Sequence, residues 1–201
     1  MVMRVLLVCV SFLGISGGDA HALSFTSLSL LGVGNYSQLV MTPSGGSAVV
    51  TSVKPAYGGA LLTEIAFGTG RMGVELGGMY YSRSYSDTVT GYTETRFEVP
   101  VLLRLHLGPF SLGAGAYAAK AMGEIQQTSG SSQSYEARGL KALDLGYAGA
   151  ASMAIRLGPV WASALVIEGR YSKSLTNSSS ASSATGAYTN IQVLAGIRFK
   201  L

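Results

Sequence analysis

The sequence predicts an all-β protein: an eight-stranded antiparallel up-and-down barrel that crosses a membrane after a cleaved signal peptide. Stretches of alternating apolar and polar residues are joined by connections that are short and long in turn. Charged residues make up 12% of the 201 residues, about half the ~25% of an ordinary soluble domain, and 27 residues are glycine. The mean hydropathy is +0.35, yet no apolar run after the leader reaches the ~18–20 residues of a membrane helix.

The first 22 residues have the features of a secretory signal peptide, which leaves residues 23–201 as the barrel domain. A positive charge is followed by an apolar stretch and by a small-x-small cleavage site at residues 20–22. The apolar stretch is too short to span a bilayer. Because the single cysteine, Cys9, lies within this stretch, the mature chain has no disulfide or thiol chemistry.

Eight strands are predicted, and most exceed the ~9–11 residues that a tilted strand needs to cross a membrane. They cover residues 24–36, 57–67, 71–83, 96–107, 110–120, 140–156, 160–171 and 189–201. The fourth strand shows a period of two most clearly, whereas the first alternates too poorly for its register to be predicted. The apolar face of the fourth strand carries Phe97, Val99, Val101, Leu103, Leu105 and Leu107. Its polar face carries Arg96, Glu98, Arg104 and His106.

The connections between these strands alternate between two lengths. The short ones contain Gly68-Thr69-Gly70, Leu107-Gly108-Pro109 and Leu157-Gly158-Pro159. The long polar ones cover residues 38–55, 84–95, 121–139 and 173–188. Tight turns at one end and longer loops at the other are typical of outer-membrane barrels, in which the tight turns face the periplasm.

The alternation alone fits two architectures. A soluble lipocalin-like carrier places its apolar face inside, around an apolar ligand, whereas an outer-membrane barrel turns that face to lipid. We favour the membrane barrel because the polar face is rich in Gly, Ala and Ser, as a narrow lumen requires. Tyrosines near the predicted loop ends also indicate an aromatic girdle. These are Tyr36, Tyr57, Tyr80, Tyr92, Tyr135, Tyr171 and Tyr188.

Eight charged residues are predicted to point into the lumen and to form ion pairs across neighbouring strands. This barrel-interior charge network consists of Glu64, Glu75, Glu98, Arg104, Asp144, Glu168, Arg170 and Arg198. The inward placement avoids the ~2–4 kcal/mol cost of an Arg or Lys that faces lipid at mid-membrane, and charges buried in the lumen must pair. An eight-stranded lumen is just wide enough for side chains to fill. Packing is therefore the preferred interpretation, and a proton- or ion-conducting interior is the alternative.

Two lysines fall on the outward face at the loop end of adjacent strands, Lys120 and Lys141. We interpret them as candidates for contact with the phosphates of outer-leaflet lipopolysaccharide. The alternative is a side chain that snorkels to the water boundary.

No catalytic residue, cofactor or metal site is predicted. The mature chain has one histidine, His106, beside a short turn. Hydrolytic mechanisms commonly pair a nucleophile or an activated water with a histidine or carboxylate on the substrate side. One histidine without cysteine gives no recognisable zinc site, and the scattered charges give no nucleic-acid signature. A lipid-A-modifying outer-membrane enzyme is kept as an alternative function.

Several short motifs resemble the PorT-like family of outer-membrane β-barrels. They are Phe97-Glu98-Val99-Pro100-Val101-Leu102-Leu103-Arg104, Gly108-Pro109, Gly113-Ala114-Gly115, Asp144-Leu145-Gly146, Glu168-Gly169-Arg170-Tyr171 and Gly196-Ile197-Arg198-Phe199. The resemblance covers residues 24–201 and implies an eight-stranded barrel in a Gram-negative outer membrane, without catalytic residues. Outer-membrane barrels usually end in an aromatic residue that the assembly machinery recognises, whereas this chain ends in Phe199-Lys200-Leu201.

The predicted function is therefore that of a small structural or surface-exposed barrel in the outer membrane. Its expected partners are outer-membrane lipid, lipopolysaccharide and, through the C-terminal strand, the barrel-assembly machinery. We expect a monomer that uses no cofactor and binds no nucleic acid.

Overall fold

In the computed structural model the chain forms a closed antiparallel β-barrel. The structure describes residues 24–43, 49–67, 70–86, 90–135, 140–158, 163–176 and 184–201. The strands are β1 (Ser24–Pro43), β2 (Val49–Val50), β3 (Ser52–Phe67), β4 (Met72–Ser86), β5 (Gly91–Leu107), β6 (Phe110–Gln127), β7 (Ser132–Gln133), β8 (Leu143–Arg156), β9 (Ser163–Ser174) and β10 (Ala184–Lys200). The predicted signal peptide lies outside the described residues. Among those residues, no helix is long and apolar enough to cross a membrane.

Eight long strands build the wall, and the two-residue strands β2 and β7 only extend the loop ends of β1 and β6. Each long strand pairs with its neighbour in the chain, and β10 pairs back with β1 over residues 184–200. This last pairing closes the sheet, so that the barrel has no unpaired edge. The predicted eight-stranded antiparallel barrel is confirmed.

The barrel has two different ends. Gly108 and Pro109 alone connect β5 to β6, and Gly108 has a φ of 68°, which favours glycine. Gly70, in the turn that leads into β4, has a φ of 76°. We call this the short-turn end, where β1 also begins and β10 ends; the opposite side is the long-loop end. The third predicted turn is described only up to Gly158.

Seven of the eight long strands extend farther toward the long-loop end than the sequence predicts, whereas β8 begins at Leu143 rather than at residue 140. β1 continues to Pro43, β5 starts at Gly91, and β6 runs to Gln127. Parts of the predicted loops at 38–55, 84–95 and 121–139 are therefore strand. At the start of β5 polar residues occupy both faces, with Thr93 and Thr95 outward and Glu94 inward, so the apolar half of the alternation is missing while the backbone pairing continues.

The outer face of the wall is apolar, as the sequence predicts. On β5 the outward Phe97, Leu103 and Leu107 are 43%, 51% and 55% exposed, while the inward Glu98 and Arg104 are fully buried. Hydrophobic side chains thus surround the barrel, and charges lie within it. A soluble carrier would have the reverse arrangement, so the structure excludes the lipocalin-like alternative.

The inward face of β1 explains why that strand alternates poorly. Leu31 and Val33 point into the lumen together with Asn35 and Ser37, whereas Leu30 points outward. Apolar residues therefore occupy both faces of its first half. The inward Leu31 and Val33 belong to a buried cluster inside the barrel that the alternation does not predict. The cluster consists of Leu31, Val33, Ala60, Leu62, Met79, Tyr81, Val166 and Leu194.

The predicted aromatic girdle is correct only in part. Four of its seven tyrosines are exposed on the outer wall: Tyr36, Tyr57, Tyr80 and Tyr171. Tyr188 has the inward parity of β10 and is buried, and Tyr135 is buried beyond the end of β6. Tyr92 is half-buried, with its ring centroid 5.7 Å from that of Tyr85. Inside the loop end, these rings form a second buried cluster with Leu39, Ile125 and Leu140.

Candidate functional site

Eleven charged side chains of the lumen form three groups along the barrel. The mouth cluster, at the short-turn end, consists of Glu64, His106 and Arg198. The central network consists of Glu75, Arg104, Glu168 and Arg170. The outer network, toward the long-loop end, consists of Arg83, Glu94, Arg96 and Asp144. All eight sequence-predicted residues therefore lie in the lumen, and seven of them belong to one of these groups.

The central network joins two arginines and two glutamates in a closed set of ion pairs. Arg104 Nη2 donates to Glu75 Oε2 at 2.5 Å and also donates to Glu168. Arg170 Nη2 donates to Glu75 Oε1 at 2.8 Å, and its Nε donates to Glu168 Oε1 at 3.0 Å. Every side chain in the network is at most 3% exposed. Two positive and two negative charges are thus buried together and neutralise one another.

The sequence predicts ion pairs only across neighbouring strands. In the structure these pairs also join strands that are not neighbours. Glu75 is on β4 and Arg170 on β9, and these two strands lie on opposite sides of the barrel. The lumen is narrow enough for one long side chain from each wall to meet across it. The central network therefore ties opposite walls together.

The outer network was largely missed from the sequence. Arg83 Nη1 and Arg96 Nε lie 3.3 Å and 2.9 Å from Glu94 Oε1. Asp144 Oδ2 lies 3.8 Å and 3.7 Å from the two guanidinium groups. Arg83 also lies over the ring of Tyr188, 3.9 Å from its centroid, a cation–π arrangement.

Only Asp144 of this network was among the predicted site residues. Glu94 falls in the predicted loop at 84–95, whereas the structure places it on β5. A usable signal was present in the sequence: Glu94 and Arg96 have the same parity as Glu98 and Arg104. Extending the alternation of the fourth strand by one residue pair places Glu94 on the inward face.

Glu98 is the predicted residue whose expected ion pair is wrong. No lysine or arginine nitrogen of the described chain lies within 4.0 Å of its carboxyl group. Instead the hydroxyl of Tyr81 donates to Glu98 Oε2 at 2.7 Å. The neighbouring arginines are already engaged by Glu94, Glu75 and Glu168, so a phenol serves as the hydrogen-bond donor for this carboxyl.

Apolar side chains and glycines complete the filling of the lumen. Arg170 Nη1 lies 3.2 Å from Met79 Sδ, where the central network meets the apolar cluster. A Cβ added at Gly113 would lie 2.9 Å from Arg104 Cδ, and one at Gly146 would lie 2.5 Å from the ring of Tyr117. The inward glycines thus provide room for long side chains from the neighbouring strands.

The mouth cluster is the only one of the three groups with side chains in partial contact with water. His106 Nε2 lies 2.5 Å from Glu64 Oε1, and Arg198 Nη1 lies 3.9 Å from Glu64 Oε2. Arg198 Nε donates to Ser29 Oγ at 3.1 Å. The side chains of His106 and Arg198 are 23% and 15% exposed. They border an open recess of about 1130 Å³ at the short-turn end.

Lys120 and Lys141 are both exposed on the outside of the barrel. Lys120 is on β6, opposite Leu143 of β8, and Lys141 lies two residues before β8 begins. Within the described part of the chain, no group of three or more His, Cys, Asp or Glu side chains is arranged to hold a metal ion.

Comparison with known proteins identifies the family. Residues 23–180 match the model of the outer membrane protein beta-barrel domain. No match was found among curated protein sequences. Similar solved structures include Ail, the attachment invasion locus protein of Yersinia pestis, in complex with the heparin analogue sucrose octasulfate. Its identity is 19%, its TM-score is 0.44, and the alignment covers 88% of this chain and 100% of that one.

Two other solved structures are similar. Neisserial surface protein A has 10% identity and a TM-score of 0.48, with 86% of this chain and 97% of that chain covered. The outer membrane protease OmpT from Escherichia coli has 10% identity and a TM-score of 0.38, with 91% and 100% covered. The match of the family model to most of the chain shows that this protein belongs to the outer membrane protein beta-barrel domain family and is a small integral barrel of the outer membrane.

Proposed function

We propose that this protein is a structural, surface-exposed component of a Gram-negative outer membrane, with neither enzymatic activity nor a transport pore. The filled lumen is the observation that carries the proposal. The side chains of Arg83, Arg96, Arg104 and Arg170 are fully buried there, together with Leu102 and Met79. Ion conduction requires a continuous water path, and these side chains occupy the interior where that path would run.

The position of the histidine supports the non-enzymatic part of the proposal. His106 is the single histidine of residues 23–201, and its ring contacts Glu64 at the short-turn end. A hydrolase acting on lipid A would need its base at the outer leaflet, near the long-loop end. The test is expression of the protein followed by mass spectrometry of lipid A. We expect an unchanged lipid A profile, and a modification abolished by His106→Ala would contradict the proposal.

Conductance in planar bilayers tests the absence of a pore. We expect the purified barrel to insert without conductance above the leak, because the lumen is filled with paired charges and apolar groups. A porin inserted in the same membrane is the positive control. A steady conductance that increases with the amount of this protein would contradict the proposal.

We further propose that Lys120 and Lys141 bind phosphate groups of lipopolysaccharide. Both are exposed on the outer wall, on the long-loop side of adjacent strands. A double substitution, Lys120→Gln with Lys141→Gln, should reduce the thermal stabilisation that added lipopolysaccharide gives to the barrel in micelles. Arg71→Gln is the matched control, because Arg71 is exposed at the short-turn end. Equal losses in both variants would argue against a specific contact.

The remaining parts of the proposal concern export and assembly. A signal peptide cleaved after Ala22, membership of the PorT-like family and a monomeric state rest on the sequence. Mass spectrometry of the mature N-terminus tests the cleavage site, and Leu23 is the expected first residue.

Phe199 is exposed on the outer face of the closing strand β10. We propose that it serves as the aromatic signal for the assembly machinery, so that Phe199→Ala should lower the yield of folded barrel in the outer membrane.

A further inference from the structure

The recess at the short-turn end is chemically unlike the rest of the lumen. It has a volume of about 1130 Å³, somewhat above the ~300–1,000 Å³ of ordinary small-molecule sites. Its charged lining consists of Glu64, His106, Arg156, Arg198 and Lys200. Two arginines and one lysine therefore accompany one carboxylate among the described lining residues. In contrast, the central network is neutral.

The basic groups of the recess also have unused capacity for hydrogen bonds. Glu64 is already shared, with His106 on one oxygen and Arg198 at 3.9 Å from the other. That longer distance makes the Arg198–Glu64 contact weaker than the pairs of the central network. Arg156 and Lys200 are exposed on the ends of β8 and β10. The recess thus combines a partly held guanidinium, two exposed cationic groups and room for a ligand.

We propose that this recess is a binding site for a phosphate-bearing molecule on the periplasmic side of the membrane. A guanidinium presents planar, forked donors that match phosphate oxygens, and the lysine adds a point charge. More than one positive charge favours an anion with more than one negative charge. The phosphate could be carried by a soluble phosphate ester or by the headgroup of an inner-leaflet phospholipid. The site goes beyond the structural role proposed above and does not depend on it.

Glu64 gives the proposal a distinctive signature. Its carboxylate competes with an incoming phosphate for His106 and Arg198, and its charge repels the ligand. Glu64→Gln should therefore strengthen binding, whereas Arg198→Gln and Lys200→Gln should weaken it. A general attraction of anions to a basic protein would not single out these positions.

The test is isothermal titration calorimetry, in which inorganic pyrophosphate is added to the complete mature barrel in uncharged micelles. We expect saturable binding that weakens at least tenfold in Arg198→Gln, weakens several-fold in Lys200→Gln and strengthens several-fold in Glu64→Gln. Lys173→Gln is the matched control, because it removes the same charge from an exposed position on β9, and its affinity should equal that of the wild type. Folding of each variant is checked on an SDS gel, where a folded barrel that has not been boiled runs at a different apparent mass from the boiled protein. We call this difference the heat-dependent gel shift. Lys200 is exposed, so Lys200→Gln keeps the test decisive if Arg198→Gln fails to assemble.

The two sources of phosphate are separated by repeating the titration in nanodiscs of phosphatidylglycerol or phosphatidylcholine. Competition by phosphatidylglycerol that is lost in Lys200→Gln would support a lipid headgroup. Unchanged pyrophosphate binding in both lipids would support a soluble phosphate ester. The proposal is overturned if pyrophosphate does not bind saturably to the wild type. It is also overturned if Lys173→Gln weakens binding as much as Lys200→Gln does.

Discussion

The central network and the mouth cluster contain similar charged side chains but differ in their contact with water. The four members of the central network are at most 3% exposed, and each arginine contacts both glutamates directly. In the mouth cluster, Arg198 is 15% exposed and 3.9 Å from its carboxylate. Burial of a charge is expensive unless it is paired. The comparison teaches that charges sealed from water each lie beside an opposite charge, whereas Arg198 keeps a looser contact where water reaches it.

The largest effect is expected from breaking the central network. Arg104→Ala should lower the free energy of unfolding by about 3–5 kcal/mol, because it leaves two buried carboxylates to share the single guanidinium of Arg170. This loss is measured by unfolding the barrel with urea in micelles and reading the folded fraction from the heat-dependent gel shift. Arg198→Ala is the comparison variant from the mouth cluster and should cost much less, because water reaches its position. Equal losses in the two variants would mean that the two regions do not differ energetically.

A smaller effect is expected from crowding the central network. Gly113→Ala would place a Cβ 2.9 Å from Arg104 Cδ, and overpacking of this kind costs about 1–3 kcal/mol. Gly149→Ala is a matched control on the neighbouring strand, since its nearest new contact is a backbone oxygen at 3.9 Å. The same unfolding assay should show a loss for Gly113→Ala and almost none for Gly149→Ala. The opposite order would show that the lumen has space beside Arg104.

His106→Ala should have a still smaller effect on stability. It removes one partially exposed hydrogen bond to Glu64, for which a loss of about 0.5–1.5 kcal/mol is expected. Arg198 remains near the carboxylate after the substitution, and water can reach the vacated position. A loss as large as that of Arg104→Ala would place His106 within the structural part of the lumen.

The smallest effect at neutral pH is expected at Tyr135, in the loop-end cluster beyond β7. Burial raises the pKa of this phenol well above its usual value, and the nearby carboxylate of Glu94 raises it further. A raised pKa in the folded state means that the stability is fully present below the ordinary tyrosine pKa. It is lost as the pH rises from there through the folded-state pKa. Tyr135→Phe should therefore match the wild type at pH 7 and lose less stability above about pH 10, as measured by unfolding at both pH values. Parallel decline of the two proteins would contradict this expectation.

Several features of the site were accessible from the alternation of residues. A period of two assigns each residue of a regular strand to one face, and apolar residues on the other face leave the charges no alternative to the lumen. This is why Glu75, Arg104, Glu168 and Arg170 could be named before their contacts were known. The same argument failed for Glu94, because polar residues on both faces conceal the strand that continues into the predicted loop at 84–95.

The partners within the lumen could not be derived in the same way. The contact between Glu75 and Arg170 joins strands on opposite walls, so it depends on closure of the barrel and on the register of all eight strands. The pairing of Glu98 with Tyr81 depends on which arginines the other carboxylates have already engaged. The burial of Leu194 and Val166 could not be predicted, because the alternation assigns polar residues to the inward face and these two aliphatic residues interrupt that pattern.

The amino-acid sequence by itself thus determined the class of fold, the two kinds of connection and the inward direction of the predicted charges. These properties follow from local periodicity, which a strand imposes on every second residue. Only the tertiary structure decided which charges are sealed, which meet water in the recess beside Arg198, and how far the strands extend. Those outcomes depend on distances across a closed lumen, and such distances arise from side chains far apart in the chain.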